Sequence, residues 1–238
     1  GGAGGAAGST GARGVRGGGS GGGEVTTCRM RGSVVGGGPG CGGLTGRGLD
    51  GNAAVLGCCD VIIATADSNL GMAGPAMIEG GGLGQYSPED IGPMSVQGPN
   101  GVIDIVVADD AEAVDAAQRY LTYFRGARSD SSAADQRRLR HIIGENRKQV
   151  YDIREVIETL ADEDSVLELR REFGIGAITA LVRIEGRPMG LVANNPAHLG
   201  GAIDADAADK MARFLQLCDA HGLPVVSLVW ANLHAGWI

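Results

Sequence analysis

The sequence contains few aromatic residues and no long apolar run. Phenylalanine, tyrosine and tryptophan make up 4% of its 238 residues. No segment approaches the roughly 18 consecutive apolar residues of a membrane-spanning helix. The N-terminus also lacks the charged and then apolar layout of a signal peptide. We therefore expect a cytoplasmic protein that does not bind a membrane.

Cysteine is scarce, and its spacing excludes the common metal-binding motifs. The five cysteines form no CxxC pair and no Cys/His ligand spacing: Cys28, Cys41, Cys58, Cys59 and Cys218. We therefore expect no metal site. Cys58 and Cys59 are adjacent in an apolar stretch, which predicts two small buried residues in a protein of a reducing compartment.

Glycine and charge are unevenly distributed along the chain. The first 50 residues hold 22 of the 43 glycines, together with five arginines and two acidic residues. The remainder carries 15 basic and 26 acidic residues. Because this acidic part is the part with a foldable composition, it would repel phosphate groups. A nucleic-acid-binding protein built on a basic face is therefore excluded.

Residues 1–45 have the composition of a low-complexity segment. They contain no aromatic residue and almost no apolar periodicity, so they are expected to be disordered or aberrant. A GxGxxG pattern at Gly17, Gly19 and Gly22 has no predicted strand before it and no helix after it, which argues against a dinucleotide loop. An RNA-contacting basic tail remains an alternative. So does translation in a wrong frame, since the arginines occur without lysine.

From about Gly46 the pattern indicates alternating strands and helices. The predicted elements of the first half are a short helix at 51–56, a strand at 60–64, a loop around one helical turn at 71–84, a strand at 102–107 and a helix from Asp109 to Phe124. Those of the second half are a linker at 129–132 followed by an arginine-rich helix, a helix at 153–160, strands at 178–184 and 189–193, a helix at 204–221 and a strand at 224–229. The residues Glu185 to Pro188 predict a hairpin turn. Strand–helix–strand order occurs twice, which predicts two related α/β lobes.

No side chain is placed as an obvious nucleophile or base. The histidines are scattered and have no Ser or Cys partner at a motif spacing: His141, His198, His221 and His234. His221 suits a helix C-terminus, where a cation meets the negative end of the helix dipole. The paired carboxylates stand where helix capping explains them.

Backbone amides are the remaining candidates for chemistry. Gly51-Asn52 opens a predicted buried helix, where N–H groups could stabilise a developing oxyanion; a tight packing turn is the alternative. The glycines at 80–82 could form a close-approach loop or a flexible connection. Asn194-Asn195 could orient a ligand, or could end a strand through Asx-type hydrogen bonds.

Several segments resemble the crotonase-like superfamily, in the form found in the carboxyltransferase component of biotin-dependent acyl-CoA carboxylases. They occur in the family's order over about residues 46–229: Gly46-Arg47…Gly51-Asn52-Ala53-Ala54…Gly57-Cys58-Cys59-Asp60, then 74–84, 165–169, Glu185-Gly186-Arg187-Pro188 and 192–204 with Asn194-Asn195-Pro196. The resemblance implies a crotonase-like α/β fold with two related lobes. It also implies carboxyl transfer from carboxybiotin to the α-carbon of an acyl-CoA of the acetyl or propionyl type.

The resemblance also implies site residues and partners. Gly51 and Asn52 would hold the thioester enolate, and no side-chain base would be needed. The substrate-binding positions would be Gly74, Gly80, Gly81, Gly82, Asn194, Asn195, Gly200 and Gly201. Biotin on a carrier protein and a coenzyme A thioester would take part, together with biotin carboxylase and biotin carrier components. A homo-oligomer is expected.

The chain also departs from the family pattern. Asp50 stands where the family prefers a small residue, and it is expected to crowd the Gly51 amide. Residues 1–45 and 230–238 do not resemble the family, so both lobes are expected to be incomplete: an end of the first lobe at 46–128, a linker with a helix at 129–150 and a start of the second lobe at 151–229. An isolated chain of this kind is expected to be inactive.

Two other functions remain open at this point. One is a different crotonase reaction, hydration or decarboxylation, for which Glu79 is the candidate acid or base. The other is a non-catalytic remnant that binds partner subunits.

Overall fold

The computed structural model describes residues 15–18, 24–29, 38–49, 51–142 and 150–230. Its strands are β1 (Val15–Gly18), β2 (Glu24–Arg29), β3 (Gly40–Thr45), β4 (Arg47–Leu49), β5 (Val61–Thr65), β6 (Asn69–Gly71), β7 (Ile105–Val107), β8 (Leu167–Leu169), β9 (Ala177–Ile184), β10 (Arg187–Asn194) and β11 (Val225–Leu228). Its α-helices are α1 (Gly51–Gly57), α2 (Pro75–Gly80), α3 (Met94–Gln97), α4 (Asp110–Thr122), α5 (Leu139–Ile142), α6 (Ile153–Leu160) and α7 (Ala205–Ala220). No helix in these ranges is both long and apolar enough to cross a bilayer.

The first lobe is built on a five-stranded sheet in the order β1-β2-β3-β5-β7. β3, β5 and β7 run parallel, and β1 and β2 are added antiparallel at one side. α1 connects the parallel neighbours β3 and β5, and β4 pairs with β6 in a small separate sheet. The strands predicted near 60–64 and 102–107 are confirmed, the second over only three residues.

The expectation of disorder for residues 1–45 is wrong for Gly40–Thr45, which form the central strand β3. Leu44 and Cys41 of this strand are buried. At Gly42 an added Cβ would lie 2.6 Å from the Leu56 side chain and 3.0 Å from Cys59 Sγ. Glycine at position 42 therefore allows α1 to pack directly on the backbone of the strand. A count of apolar side chains cannot detect burial of this kind.

The second lobe is built on a four-stranded sheet in the order β11-β10-β9-β8. β9 and β10 form the predicted hairpin, whose turn residues Glu185 and Gly186 have φ of 52° and 74°. Two consecutive positive φ angles are typical of a type I′ hairpin turn. A Cβ at Gly186 would lie 2.0 Å from the Arg128 carbonyl oxygen, so no residue with a side chain fits at this turn position.

α7 connects the parallel strands β10 and β11, as α1 connects β3 and β5. The strand–helix–strand unit predicted for the second lobe is therefore confirmed. The corresponding unit of the first lobe includes β3, which the sequence did not predict. The N-terminal caps are confirmed as well: Asp109 accepts a hydrogen bond from the Glu112 N–H, and Asp204 from the Ala207 N–H. Of the predicted arginine-rich helix the structure describes only one 3-10 turn and α5. Residues 143–149 lie outside the described part.

The two lobes share one apolar core. Val61, Ile63 and Tyr120 of the first lobe pack in the same cluster as Leu181 and Phe214 of the second. Smaller clusters fill each lobe separately. The lobes therefore hold a fixed relative position through buried contacts.

The prediction that Cys58 and Cys59 are buried is wrong. Cys58 is exposed and Cys59 is partly exposed. The pair follows the last turn of α1, where the chain leaves the helix for the surface before β5 begins. The apolar residues next to Cys58 and Cys59 in the sequence therefore do not indicate that these two side chains are buried.

Candidate active site

The first candidate position is the start of α1. The α1 residues Ala53 and Leu56 are buried against Leu44 of β3 and Ile62 of β5. Gly51 is the first helical residue and is exposed. Its N–H has no acceptor among the residues that the structure describes. A Cβ added at Gly51 would have no atom within 4 Å.

Within the described residues, the Gly51 amide is therefore not used in the hydrogen bonding of the helix. α1 has only seven residues, so the individual N–H group matters more here than the dipole of the whole helix. Asn52 is the second helical residue, and only its backbone is described. The predicted crowding by Asp50 lies outside the described residues.

The second candidate position is the glycine segment around α2. Gly74 is buried at the N-cap of α2, and its carbonyl oxygen accepts hydrogen bonds from Met77 and Ile78. Gly80 is the last residue of the helix. The N–H groups of Gly81 and Gly82 donate to helix carbonyl oxygens at 3.0 and 2.9 Å. These two amides close the C-terminus of the helix and are not available to a ligand.

Four large apolar side chains near this glycine segment are exposed. The exposed fractions are 68% for Met72, 63% for Met77, 72% for Leu83 and 51% for Tyr86. Residues of this kind at high exposure within one short segment are typical of a contact surface. Glu79 is also exposed, and its carboxylate accepts a hydrogen bond from the Gln85 side chain.

The third candidate position is the end of β10. The Asn194 side chain accepts a hydrogen bond from the Trp230 N–H at 2.7 Å. It donates to the Trp230 and Gly201 carbonyl oxygens at 2.9 and 2.8 Å. Asn195 accepts from the Ala197 N–H and donates to the Ile175 carbonyl oxygen. Both amides therefore hold the loop after β10 in place, as in the Asx alternative.

Gly200 and Gly201 follow in this loop with φ of 60° and 83°. Gly201 donates to the His198 carbonyl oxygen, and its Cα lies against the Trp230 ring, where a Cβ would approach to 2.7 Å. Gly200 is exposed. The His198 ring is 2.9 Å from the Asp204 carboxylate. Together with the Ala207 N–H, which is the larger cause, it lowers the pKa of Asp204.

None of the predicted site residues lines any of three cavities of the described chain. One of these cavities, about 330 Å³, lies between the lobes and is bounded by Ile105 of β7, Ile157 of α6 and Glu168 of β8. The others measure about 220 and 20 Å³. Gly51 is exposed and does not line any of these cavities.

Sequence reasoning missed a buried ion pair between the lobes. Asp104 accepts from Arg170 Nε at 2.8 Å and from the Ile62 N–H at 2.8 Å. The Arg170 N–H donates to the Asp104 carbonyl oxygen, which holds Arg170 at a φ of 55°. Burial raises the pKa of Asp104, while Arg170 opposes this effect. No sequence pattern connects residues this far apart.

A buried lysine was also missed. Lys210 of α7 is 1% exposed, and its ammonium donates to the Ala177 carbonyl oxygen at 2.8 Å. Among the described residues no carboxylate forms an ion pair with it. Burial lowers its pKa to about 8, because loss of hydration disfavours the charged form of the ammonium group.

We predict that Lys210→Met stabilises the protein at pH 7. A lysine pKa that is lower in the folded than in the unfolded chain makes folding less favourable at neutral pH. Stability should therefore rise between about pH 8 and the unfolded lysine value of about 10.4. The variant should lose this rise and gain about 1–3 kcal/mol at pH 7, after loss of the Ala177 hydrogen bond. Urea unfolding at pH 7 and pH 10 measures both effects. A less stable variant at pH 7 would contradict the prediction.

The predicted position of His221 at a helix C-terminus is confirmed, because His221 is the C-cap residue of α7. Its ring also lies 3.2 Å from the Asp60 carboxylate of the first lobe and edge-on to Phe124. His221 therefore contributes a contact between the lobes, which the sequence did not indicate. His234 lies outside the described residues.

Comparison with known proteins identifies the family. The carboxyl transferase domain family matches residues 8–232, so the chain belongs to this family. The match begins and ends outside the 46–229 range of the sequence resemblance. The crotonase-like α/β fold inferred from the sequence is confirmed by the solved structures that match this chain.

Three proteins illustrate the similarity. The biotin-dependent acetyl-/propionyl-coenzyme A carboxylase beta6 subunit of Mycobacterium tuberculosis is 30% identical over 181 residues, which cover 71% of this chain and 37% of that protein. A single-chain, multi-domain long-chain acyl-CoA carboxylase matches with a TM-score of 0.76 and 57% identity, over 78% of this chain and 18% of that one. The transcarboxylase 12S hexamer with hydrolysed methylmalonyl-coenzyme A bound matches with a TM-score of 0.68 and 27% identity, over 79% and 38%. The chain thus spans less than two fifths of the length of these relatives.

Proposed function

We propose that this chain takes part in carboxyl transfer from carboxybiotin to the α-carbon of an acyl-CoA. Membership of the carboxyl transferase domain family carries the proposal. The similarity to a structure with hydrolysed methylmalonyl-coenzyme A bound supports it. Biotin and an acyl-CoA are accordingly the proposed cofactor and substrate, and biotin carboxylase, a biotin carrier and further copies of the chain are the proposed partners.

The proposed role of the first lobe is to stabilise the thioester enolate. Removal of the α-proton or carboxyl group places negative charge on the thioester oxygen. An N–H donor already in position stabilises this charge without reorganisation. Gly51 offers such a donor, exposed and without an acceptor in the described chain. Asn52 is proposed to take part through its neighbouring backbone.

Three predicted positions of the second lobe, Asn194, Asn195 and Gly201, do not fit a biotin site. Carboxybiotin would supply the carboxyl group, and its ureido carbonyl would need N–H donors. The side-chain amides of Asn194 and Asn195 are already engaged with backbone groups, and the Gly201 N–H donates to His198. We therefore derive no step through biotin from these residues.

The length of the acyl group is open to direct test. Identity to the long-chain enzyme is 57%, against 30% for the acetyl-/propionyl subunit. The exposed apolar side chains Met72, Met77 and Leu83 offer a surface that an aliphatic chain could contact. We propose that a long acyl chain is accepted at least as well as the acetyl and propionyl groups.

The alternative reactions receive less support from the structure. Hydration or decarboxylation would use Glu79 as acid or base, but this carboxylate is exposed and hydrogen-bonded to Gln85. A non-catalytic remnant that binds partner subunits is distinguished by calorimetry, because it would not bind acyl-CoA.

The test is incorporation of labelled bicarbonate into acyl-CoA by the biotin-loaded holoenzyme. Acetyl-CoA, propionyl-CoA and a long-chain acyl-CoA are compared as substrates. We expect biotin-dependent product, with activity of Glu79→Gln within about twofold of the wild type, since no general base is removed. Hydratase activity that disappears in Glu79→Gln would instead support the alternative reaction. Absence of both carboxylation and acyl-CoA binding would contradict the proposed function.

A further inference from the structure

The buried ammonium group of Lys210 has one hydrogen-bond acceptor for three N–H groups. It lies on α7 and donates to the Ala177 carbonyl oxygen at 2.8 Å. In the described part of the chain it has no second acceptor and no carboxylate within ion-pair distance. An ammonium group carries three donors, and a buried donor without an acceptor is unfavourable. The surroundings of Lys210 therefore suit a nitrogen with fewer N–H groups.

The carboxylates around Lys210 are already paired with other basic side chains. The pairs are Asp104 with Arg170, Glu168 with Arg154, and Asp60 with His221. Burial, which is the largest cause, lowers the pKa of Lys210 to about 8. Glu168 opposes this shift, and Arg154 and Arg170 contribute to it. At pH 8 about half of Lys210 is thus a neutral amine, compared with roughly 0.4% of an ordinary lysine. A desolvated neutral amine close to other cations is an activated nucleophile.

The cavity of about 20 Å³ lies beside Lys210. It is bounded by Asp60 and Asp104 of the first lobe and by Thr179 and Phe214 of the second. One water needs roughly 10–15 Å³, so the cavity admits a molecule only a little larger than water. A coenzyme A thioester is far too large. Among compounds that react with amines, carbon dioxide is small enough for this space.

Two guanidinium groups that line the cavity suit a product with a negative charge. Arg170 donates from Nε to Asp104, and its terminal N–H groups have no acceptor among the described residues. Arg213 lines the same cavity and forms no ion pair within the described ranges. Hydrogen bonds from a guanidinium group to a carboxylate are among the strongest in proteins. A carboxylate formed on the Lys210 nitrogen would therefore have cationic donors beside it.

We propose that Lys210 is a modification site for carbon dioxide, with which its neutral amine forms a carbamate. The nitrogen lone pair attacks the carbon of carbon dioxide and forms the N–C bond, while one C=O π pair moves onto oxygen. The nitrogen then releases one proton to water. One amine and one carbon dioxide thus give one carbamate anion and one proton. The carbamate nitrogen keeps a single N–H, for which the Ala177 carbonyl oxygen is the acceptor.

The modification is expected to stabilise the folded chain. Carbon dioxide reacts with the neutral amine of folded Lys210 far more than with the protonated amine of the unfolded chain. A ligand that binds the folded state preferentially raises its stability. At pH 8 and constant ionic strength, carbon dioxide should therefore raise the temperature of unfolding of the wild type and leave that of Lys210→Met unchanged. This measurement does not depend on the proposed carboxyl transfer.

Chemical trapping locates the carbamate. The full chain is equilibrated at pH 8 with isotopically labelled bicarbonate and carbon dioxide, treated with a trialkyloxonium salt that converts a carbamate to a stable ester, and digested with trypsin. Trypsin does not cleave after a modified lysine or before proline, so the Lys210 ester should appear in the peptide 184–213. The sequence contains one other lysine, Lys148. We expect occupancy of Lys210 to exceed that of Lys148 by at least about tenfold, since an ordinary lysine is almost fully protonated at this pH.

Two variants and the unfolded chain decide the outcome. Lys210→Met should abolish the ester in the peptide 184–213, whereas Lys148→Arg should leave it unchanged. In urea the wild type should lose its preference for Lys210, because the lowered pKa requires the fold. The α-amino group also titrates near pH 8, and its carbamate is assigned separately to the N-terminal peptide. Unmodified Lys210 in the folded wild type would overturn the proposal. Equal modification of both lysines, or equal modification of Lys210 in the folded and unfolded chain, would overturn it as well.

Discussion

Replacing Gly51 by proline is expected to lower kcat for acyl-CoA carboxylation by about 10²–10³, which is the loss typical of one oxyanion donor. Proline removes the N–H group and nothing else that the described structure uses. Gly51 is the first helical residue, a position where proline is well tolerated. The fold should therefore remain intact while the donor is lost. The assay is initial-rate carboxylation by the holoenzyme, with circular dichroism to check folding.

Gly51→Ala is the matched control for this substitution. Alanine keeps the N–H group, and its Cβ would enter a space without any atom within 4 Å. We expect kcat close to the wild-type value. If Gly51→Pro remains fully active, or if both variants lose activity equally, the amide of Gly51 does not hold the enolate. Family membership would be unaffected by either result.

Replacing Asp104 by asparagine is expected to destabilise the folded protein by about 3–5 kcal/mol. Both Asp104 carboxylate oxygens accept hydrogen bonds, one from Arg170 and one from the Ile62 N–H. The NH₂ group of asparagine must face one of these donors. In addition, Arg170 would remain as a buried cation without its carboxylate. Chemical denaturation of the wild type and the variant measures the difference.

An exposed ion pair provides the comparison. Arg128 and Asp130 form a salt bridge with both side chains more than half exposed, so Asp130→Asn should leave the unfolding free energy nearly unchanged. The double variant Asp104→Asn with Arg170→Leu should be less destabilised than the sum of its two single variants, because no unpaired charge remains. A small effect of Asp104→Asn alone would show that this pair does not hold the lobes together.

Local sequence signals predicted the elements of the second lobe well. The Glu185-Gly186 turn and the Asp204 cap are encoded by residues adjacent to the structures they form. The strands β9 and β10 are apolar over most of their length and buried on both faces. Short-range signals of this kind do not depend on the rest of the molecule, which explains why they could be read from the sequence.

The first lobe shows where this approach fails. β3 was not predicted because its glycines carry no apolar side chain, and its burial depends on the Leu56 side chain of α1. The exposure of Cys58 depends on where the chain leaves that helix. Both properties are set by packing between segments and cannot be derived from composition.

The candidate site also combines positions that the sequence indicated with hydrogen bonds that only the structure shows. The sequence indicated Gly51 and the loop glycines, and family resemblance gave them roles that remain predictions. Whether each amide has an unused N–H group depends on hydrogen bonds formed in three dimensions. Among the described residues the Gly51 N–H has no acceptor, while Gly81 and Gly82 donate theirs to carbonyl oxygens of α2. Asn194 uses its side chain on Trp230.

The sequence by itself determined the family, the strand–helix–strand unit of the second lobe and the helix caps, because ordered motifs and local hydrogen-bonding residues encode them directly. Only the tertiary structure decided which polar groups meet between the lobes. Asp104 and Arg170, or Asp60 and His221, come together across long stretches of chain. Their energies arise from burial and from partners that are distant in sequence, and a linear pattern contains neither.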